Sequence, residues 1–483
     1  MATKSIKGPN SVKGLGAYLP LLRLDRQAAA KALRWSGLGG PRNGRRAVAA
    51  FDEDALTVAV EAARIAVRKS GPIAKVVLAT TSSPFTERAQ AGLLIDALHL
   101  PAETRCLDVA GSRRAGVSAL LDALLAGDGG DTLIAAGENR PGQAGNALHL
   151  AWGDGGAAAL VGPGDGARLI GHASLAHDLL DVYASPAHPT PYQSEERFIR
   201  DTAVAAVLVP AIGAALEAAA VEAAEIAAAV VHEPVSGCYK AVAAALGLKV
   251  PNLAEAVTEA AGDLGTAHVL FALGLALETA KTGDRILLAG FGSGCDALVL
   301  EVTGPVAGAG AAAAALAQGL GFADYVRFLS LSGALSLDWG PRSELEQKTS
   351  ASVLERYGRD FTGFIGGRDA GGNTQFPKTR LPVAPDVEAG PMTDVRLADE
   401  TGTVVSITAD RLNYCPDPPF YFGLIQFPGG ARVLMEVTDI AAAPPAVGDA
   451  LTMRFRVKSA DRRRGFRTYF WKAAPVARPQ LEA

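Results

Sequence analysis

Hydrophobic and polar positions divide the 483-residue chain into two regimes. Between residues 10 and 303, Ala-rich stretches of helical spacing alternate with short β-branched apolar runs: "AKVVLATTS" at 74–82, "DTLIAAGE" at 131–138, "AAAVVHEPV" at 227–235 and "DRILLAGFG" at 284–292. Runs this short and apolar read as fully buried strands, and helices between them predict an α/β layered architecture. From about residue 390 the grammar changes to alternation: "DVRLADETGTVVSITADRL", "FYFGLIQFPGGARVLMEVTDI", "ALTMRFRVKSA" and "FRTYFWKAAP", separated by Gly, Pro and Asp. Such a series predicts a small all-β barrel.

An internal echo refines the first regime. "GDTLIAAGENR" at 130–140 and "GDRILLAGFGSG" at 283–294 each follow an Ala/Leu-rich helix and lead on to an apolar strand, "GGAAALVG" and "CDALVLEV". Two similar halves are expected, about 10–165 and 166–303. Pro and Gly in "TGPVAGAGAAAAALAQG" break the pattern at 303–319. Residues 306–357 therefore read as a linker followed by mixed helical pieces, "DYVRFLSLSGAL" and "SELEQKTSASVLERYG", that pack back on the first domain. The predicted units are 1–305, 306–357, a short segment at 358–386, and 387–483.

Composition removes whole classes of function. With 49% hydrophobic and 20% charged residues the chain can fill more than one core. A net charge of -4 with scattered Lys and Arg offers neither a nucleic-acid footprint nor a polybasic membrane patch. No apolar run reaches the roughly 20 residues that span a bilayer, and "MATKSIKGPNSVKGLGAYLP" lacks a signal peptide's apolar core, so a cytoplasmic location is expected. Cys106, Cys238, Cys295 and Cys415 lie far apart and form no CxxC pair, which leaves buried apolar thiols as the first reading.

Candidate chemistry gathers at three places. In "VVHEPVSGCYK", His232 ends an apolar strand just before Pro234. Strand C-termini face the ligand crevice in α/β sheets, so His232 is a candidate site residue, with a hydrogen-bonded structural histidine the equal alternative. In "FGSGCDALVL", Gly292, Ser293 and Gly294 form a turn that lets backbone approach a ligand, or a plain hairpin. "DVAGSRRAGVSALLDALLA" at 108–126 reads as a strand end, a tight turn and a small-residue helix, and it sets Arg113 and Arg114 where the neighbours say inside. GxxxxGK, HExxH, GxSxG and a clean GxGxxG are absent, so nucleotide hydrolysis, zinc proteolysis and α/β-hydrolase chemistry have no sequence support.

"GLGAYLPLLRLDR" near the start, "RRAVAAFDEDALTVAVEAA" at 45–63, "HEP" at 232–234 and "GDRILLAGFGSGCDAL" at 283–298 together resemble the 3-hydroxy-3-methylglutaryl-CoA synthase family of the thiolase superfamily, over about residues 10–305. The tail is similar to acyl-CoA-associated OB-fold proteins that carry a rubredoxin-like zinc ribbon. "GFIGGRDAGGNTQFPKTRLPVAP" fits the ribbon's frame, and "PPFYFGLIQFPGGARVLMEVTD" and "RRRGFRTYFWKAAPV" fit the barrel. The first resemblance implies a duplicated α-β-α-β-α thiolase-like fold and a coenzyme A thioester as substrate or ligand. It also implies a Cys nucleophile at a helix start, a Glu that moves protons and a His that orients the second substrate. Together the two resemblances imply work beside a thiolase-family partner, as a dimer or hetero-oligomer.

Carried onto this sequence, the frame "D-V-x-x-x-Cys" falls on Asp108, Val109 and Arg113, and the family's Glu falls on Thr81 in "ATTSSPF". His232 alone keeps its type, and Glu87 follows a few residues after Thr81. The ribbon's two CxxC pairs fall on Arg368, Gly371, Pro382 and Pro385, so zinc is not expected, nor is any covalently bound cofactor. An unpaired guanidinium buried at a helix N-terminus is costly, so Arg113 must reach water, a carboxylate or a ligand anion. It is solvated in an open cleft, or paired with an internal acid such as Asp108 or Glu87, or it binds the carboxylate of an acidic acyl-CoA. Cys295 and Cys238 are outside candidates for a substitute thiol, neither standing at a recognisable helix start. The expected function is an acyl-CoA-associated subunit whose catalysis lies mainly in a thiolase partner. The alternatives are a stand-alone condensing or cleaving enzyme with His232 as acid/base, and an acyl-CoA-binding scaffold.

Overall fold

Nine strands form the largest sheet in the computed structural model, which describes residues 10–481 except 39, 41–42, 69, 127–129, 341–350, 442 and 462–464. Part of the predicted helical piece "SELEQKTSASVLERYG", residues 343–350, lies outside the described residues. The first half of the repeat supplies β1 (Asn10–Tyr18), β2 (Ile73–Ala79), β3 (Arg105–Val109), β4 (Asp131–Glu138) and β5 (Gly155–Pro163). The second half begins with β6 (Ala167–Ala176), followed by a separate hairpin, β7 (Val182–Ser185) and β8 (His188–Gln193). It then continues with β9 (Ile226–Val231), β10 (Arg285–Phe291) and β11 (Gly294–Val302).

The strand order is β9-β10-β11-β6-β1-β5-β4-β2-β3. Outward from β1, two antiparallel pairings lead through β5 to β4, and β2 then lies parallel to β4. Outward from β6 the same sequence of senses leads through β11 and β10 to β9. The halves meet at the short junction Ser11–Arg168 and Val12–Ala167, so the sheet can fold around what lies inside.

Five helices complete the layers: α1 (Ala55–Ala66), α2 (Ala115–Leu125), α3 (Val209–Ala219), α4 (Cys238–Leu246) and α5 (His268–Thr279). Both α2 and α5 touch strands of the two halves, whereas α1 covers the first half-sheet from outside and α3 the second. The result is an α-β-α-β-α sandwich. A helix packed between two sheets must be apolar over most of its surface, and α2 buries Ala115, Gly116, Val117, Ala119, Leu120, Leu121, Ala123 and Leu124. Its small residues are a steric requirement: a Cβ on Gly116 would lie 2.2 Å from the Thr266 carbonyl oxygen.

The expectation that no apolar stretch is long enough to span a bilayer needs correction. Helix Glu196–Ala219 has 24 residues and is apolar enough by length and composition. Its Ala-rich second half raises the average, while Ala211, Ile212, Ala215 and Leu216 face the protein and α3 packs on β6 and β11.

After a short three-stranded sheet (Ile365–Arg368, Thr374–Gln375 and Thr393–Arg396) come β12 (Gly402–Asp410), β13 (Phe420–Gln426), β14 (Arg432–Glu436), β15 (Ala450–Asp461) and β16 (Phe466–Pro475). These last five are antiparallel in the order β14-β13-β12-β15-β16, and a parallel bridge from Val437 to Ala473 brings the chain beyond β14 against β16. Trp471, Phe455 and Phe427 from this unit share one apolar cluster with Leu56, Val60 and Ala63 of α1.

The same face of α1 is ringed by charge. Asp54 caps α1 through the amides of Leu56 and Thr57, and its second oxygen accepts from Arg467 Nη1 (2.9 Å) and the Tyr469 hydroxyl (2.8 Å). Asp52 pairs with Lys472 at 2.9 Å, and buried Arg456 lies 3.2 Å from Glu53 and 3.0 Å from Asp439. On the helix itself, Glu61 accepts from Arg454 Nη1 (2.8 Å), the Phe455 amide (2.9 Å) and Arg64 Nη1 (3.2 Å). Burial alone would raise its pKa, but Arg64, Arg454 and Arg456 outweigh burial and pull it down to about 2. Since the unfolded carboxyl titrates near 4.3, the ionised form of Glu61 favours the fold above that pH by about 3 kcal/mol relative to its protonated form, and the advantage disappears as pH falls toward 2. In denaturant titrations, the stability gap between wild type and Glu61→Gln is therefore expected to be widest above pH 5 and to close between pH 4 and 2.

Candidate functional site

Helix α2 starts deep between the half-sheets, and the turn before it is clamped by the β10–β11 hairpin. Ser112 Oγ donates to the Gly292 carbonyl at 2.8 Å, and a Cβ on Gly292 would lie 2.4 Å from that hydroxyl and 3.2 Å from the amides of Arg113 and Arg114. Gly292, Ser293 and Gly294 all have positive φ (159°, 48° and 118°), which is how the hairpin turns tightly enough to reach the helix start. The Gly292–Gly294 turn thus belongs to the site as packing against α2.

Arg113 is not solvated, because only 10% of its side chain is exposed. Its guanidinium forms an ion pair with Asp181, just before β7, and its Nη1 lies 3.8 Å from Asp263 Oδ2. Neither acid expected from the sequence is its partner. Asp108 accepts the amides of Gln90 and Ala91 at 2.6 and 2.7 Å, which commits it to a neighbouring helix start, and Glu87 is exposed. Arg114 turns the other way, donating to the Leu175 carbonyl at 3.2 Å, with Asp296 at 3.8 Å.

Asp263 is the hub. Its Oδ1 lies 3.2 Å from His232 Nε2 and accepts the Gly265 amide at 2.8 Å, and Arg140 Nη1 stands 3.6 Å from Oδ2. Burial opposes its ionisation, but Arg140, His232 and His268 prevail and hold the carboxyl well below its usual range. His232 is 2% exposed at the end of β9, and its Nδ1 lies 3.3 Å from the Phe291 carbonyl. Both ring nitrogens face acceptors, so the doubly protonated ring satisfies both contacts and a neutral tautomer satisfies one. His268, 5.3 Å from His232 between ring centroids, accepts the Leu264 amide at Nδ1 and reaches Thr258 Oγ1 through Nε2. Burial pushes its pKa down to about 4, so it is neutral at pH 7.

Thr81 is exposed, and its amide and hydroxyl both donate to Glu138 Oε1 at 3.0 Å. Glu138, fully buried at the end of β4, also receives the Ser82 hydroxyl (2.6 Å) and the Thr266 amide (3.2 Å). A carboxylate therefore does stand beside the Thr81 position, but it is spent on holding two loops together.

Among the cysteines, Cys106 is exposed on β3, and Cys238, Cys295 and Cys415 are buried. Contrary to the sequence expectation, Cys238 does open a helix: Gly237, with φ 89°, turns the chain so that Cys238 is the first residue of α4. Burial nonetheless raises its thiol to about 11 and also pushes the Cys295 thiol up, so neither is a thiolate at neutral pH.

Sequence reasoning missed Asp181, Asp263, Arg140 and Glu138. Glu138 had a signal, as the acid ending the apolar run "DTLIAAGE", whereas the other three sit in loops without periodicity.

Residues 216–302 match the C-terminal family of 3-oxoacyl-[acyl-carrier-protein] synthase III. Hydroxymethylglutaryl-CoA synthase of Aeropyrum pernix is 28% identical over 314 residues, covering 62% of this chain and 87% of that protein. Two solved structures share the fold. FabH, 3-oxoacyl-(acyl carrier protein) synthase III from Pseudomonas aeruginosa PAO1, has a TM-score of 0.54 at 22% identity, covering 61% of this chain and 99% of its own. MvaS in complex with 3-hydroxy-3-methylglutaryl coenzyme A has a TM-score of 0.54 at 19% identity, covering 70% and 95%. The chain is thus similar to hydroxymethylglutaryl-CoA synthases and shares the fold of these two solved proteins.

Because Gly292 is in contact with the α2 start, Gly292→Ala is expected to destabilise the protein by about 2 kcal/mol through overpacking and backbone strain. Adding Ser112→Ala removes the nearest atom, so chemical denaturation of the double variant should show less than the sum of the single losses.

Proposed function

We propose that this chain is an acyl-CoA-associated, HMG-CoA synthase-like subunit that works without a cysteine nucleophile, beside a thiolase-family partner that makes or breaks carbon–carbon bonds. One observation carries the reading: at the start of α2, Arg113 occupies the place and is locked between Asp181 and Asp263. The helix dipole would favour a thiolate at that point, but the place holds a guanidinium and two carboxylates ion-paired to it, so no thiol stands there to attack a thioester. The rival reading, in which His232 is the acid/base of a stand-alone enzyme, must meet the engagement of both its ring nitrogens, Nδ1 with the Phe291 carbonyl and Nε2 with Asp263.

Acyl-CoA as the ligand is supported by a cavity of about 400 Å³ lined by Lys31, Leu33, Arg34, Leu38 and Leu150. Trp35, between the two cationic residues and Leu38 in sequence, is 87% exposed. An aromatic face with cations beside it suits an adenine and its phosphates. We read the five C-terminal strands as the OB-fold barrel, since their order and the parallel Val437–Ala473 bridge match a five-stranded, partly open barrel. The ribbon segment does not fit zinc. Arg368, Gly371, Pro382 and Pro385 supply no ligand atom from their side chains, and the segment is instead tied by hydrogen bonds such as Asn373 to Asp369 and Gln375 to Thr379.

A partner surface is available at β3, an edge strand whose Arg105, Cys106, Leu107 and Asp108 are exposed. Unpaired edges invite pairing with another chain.

Intact-mass spectrometry after incubation with acetyl-CoA is expected to show no covalent adduct on the chain, and an acyl group mapped to Cys238 or Cys295 would restore a ping-pong mechanism. Leu107→Arg is expected to abolish assembly with a co-expressed thiolase in size-exclusion chromatography with light scattering. A chain that remains a homodimer indifferent to any thiolase would sink the partner assignment.

A further inference from the structure

Arg140 carries more hydrogen-bonding capacity than its surroundings use. It is 6% exposed, lies 4.3 Å over the Trp152 ring, and gives one hydrogen bond, from Nη2 to the Asp263 carbonyl. Its Nε and Nη1 have no acceptor among the described residues. Leaving donors of a buried cation unbonded is costly, so these two positions can take an acceptor that arrives from outside.

One of these donors, Nη1, shares a carboxylate with Arg113. Arg140 Nη1 and Arg113 Nη1 stand 3.6 and 3.8 Å from the same oxygen, Asp263 Oδ2, beyond hydrogen-bond reach, while Oδ1 is taken by His232 and the Gly265 amide. Two guanidinium groups therefore converge on a point served by one distant carboxylate oxygen. On its other side Arg113 is held by Asp181, which is 4% exposed and sits at the root of the β7–β8 hairpin. The hairpin itself is superficial: Tyr183 and Tyr192 are 46% and 61% exposed, and its reach to the rest of the domain includes a 3.4 Å bond from Asn146 to the Pro191 carbonyl.

We propose that Arg140 and Arg113 form a recognition site for a carboxylate carried by the acyl group of the thioester, and that Asp181 is the internal carboxylate which that group displaces from Arg113. The assignment rests on the acyl-CoA reading above and adds the substrate class to it. Exchange of one carboxylate for another leaves the charge around Arg113 unchanged, and the incoming group also supplies the acceptor that Arg140 lacks. Asp181 moves out to water with the hairpin. An uncharged acyl chain offers Arg113 nothing in return for Asp181, so it leaves the internal pair closed.

The test is calorimetric titration of the full chain with succinyl-CoA, butyryl-CoA and free CoA, with Asp181→Asn and Arg140→Gln as variants. Succinyl-CoA is expected to bind about tenfold more tightly than butyryl-CoA, a difference of about 1.4 kcal/mol. Asp181→Asn should tighten succinyl-CoA further and leave butyryl-CoA unchanged, and Arg140→Gln should bring the two thioesters to parity. Should Arg140→Gln fail to fold, the gain expected in Asp181→Asn still decides the matter. Equal affinity for the two thioesters in wild type and Asp181→Asn, with free CoA bound, overturns the carboxylate site alone. Absence of binding by CoA and both thioesters overturns the acyl-CoA reading and the carboxylate site with it.

Discussion

Enclosure of α2 and α5 between two half-sheets is the constraint from which the other features follow. A helix with strands on both sides must be mostly small or apolar where it is enclosed, and Gly116 against the Thr266 carbonyl shows how little space is left. Its first turn is enclosed as well, so any charge there must be neutralised by the protein or by a ligand. Arg113 meets that condition through Asp181 and Asp263, and Asp263 in turn is kept ionised by Arg140 and His232. These five groups form one electrostatic unit drawn from five separate segments of the chain.

The C-terminal unit is governed by the opposite face of the first half-domain. Helix α1 covers the half-sheet with one side and carries the β15 and β16 strands on the other, so it is apolar where it meets Trp471 and Phe455 and acidic around its first turn and at Glu61. Asp52, Asp54 and Glu61 each meet a cation from β15 or β16, and Arg456 ties Glu53 to Asp439. Buried pairs of this kind add little net stability compared with apolar packing, but breaking one leaves an uncompensated charge, so they specify a single docking geometry. The five-stranded C-terminal unit is thereby held in fixed relation to the sheet whose far side contains the α2 start.

Much of this was legible beforehand. Apolar runs at 74–82, 131–138, 227–235 and 284–292 became β2, β4, β9 and β10, and the position of His232 at a strand end was readable from Pro234 and the β-branched run before it. The place of Arg113 at the start of an enclosed helix was also readable, because small and apolar residues occupy nearly every position of its first two turns. Its partner was not. Asp108 and Glu87 were the natural choices by proximity in sequence, but Asp108 is committed to the amides of Gln90 and Ala91, and Glu87 faces solvent.

Sequence by itself determined the class of each segment, the layered α/β unit followed by alternating strands, and the fact that a guanidinium begins α2. These depend on periodicity and residue type, which act locally and repeat along the chain. Tertiary structure alone decided that Asp181, Asp263 and Arg140 surround Arg113, that Glu138 supports Thr81, and that Cys238 opens a helix yet stays a protonated thiol. Charges interact through space and are strengthened by the low polarity of the interior, so their partners are chosen by the fold that brings distant loops together and leave no periodic trace in the chain.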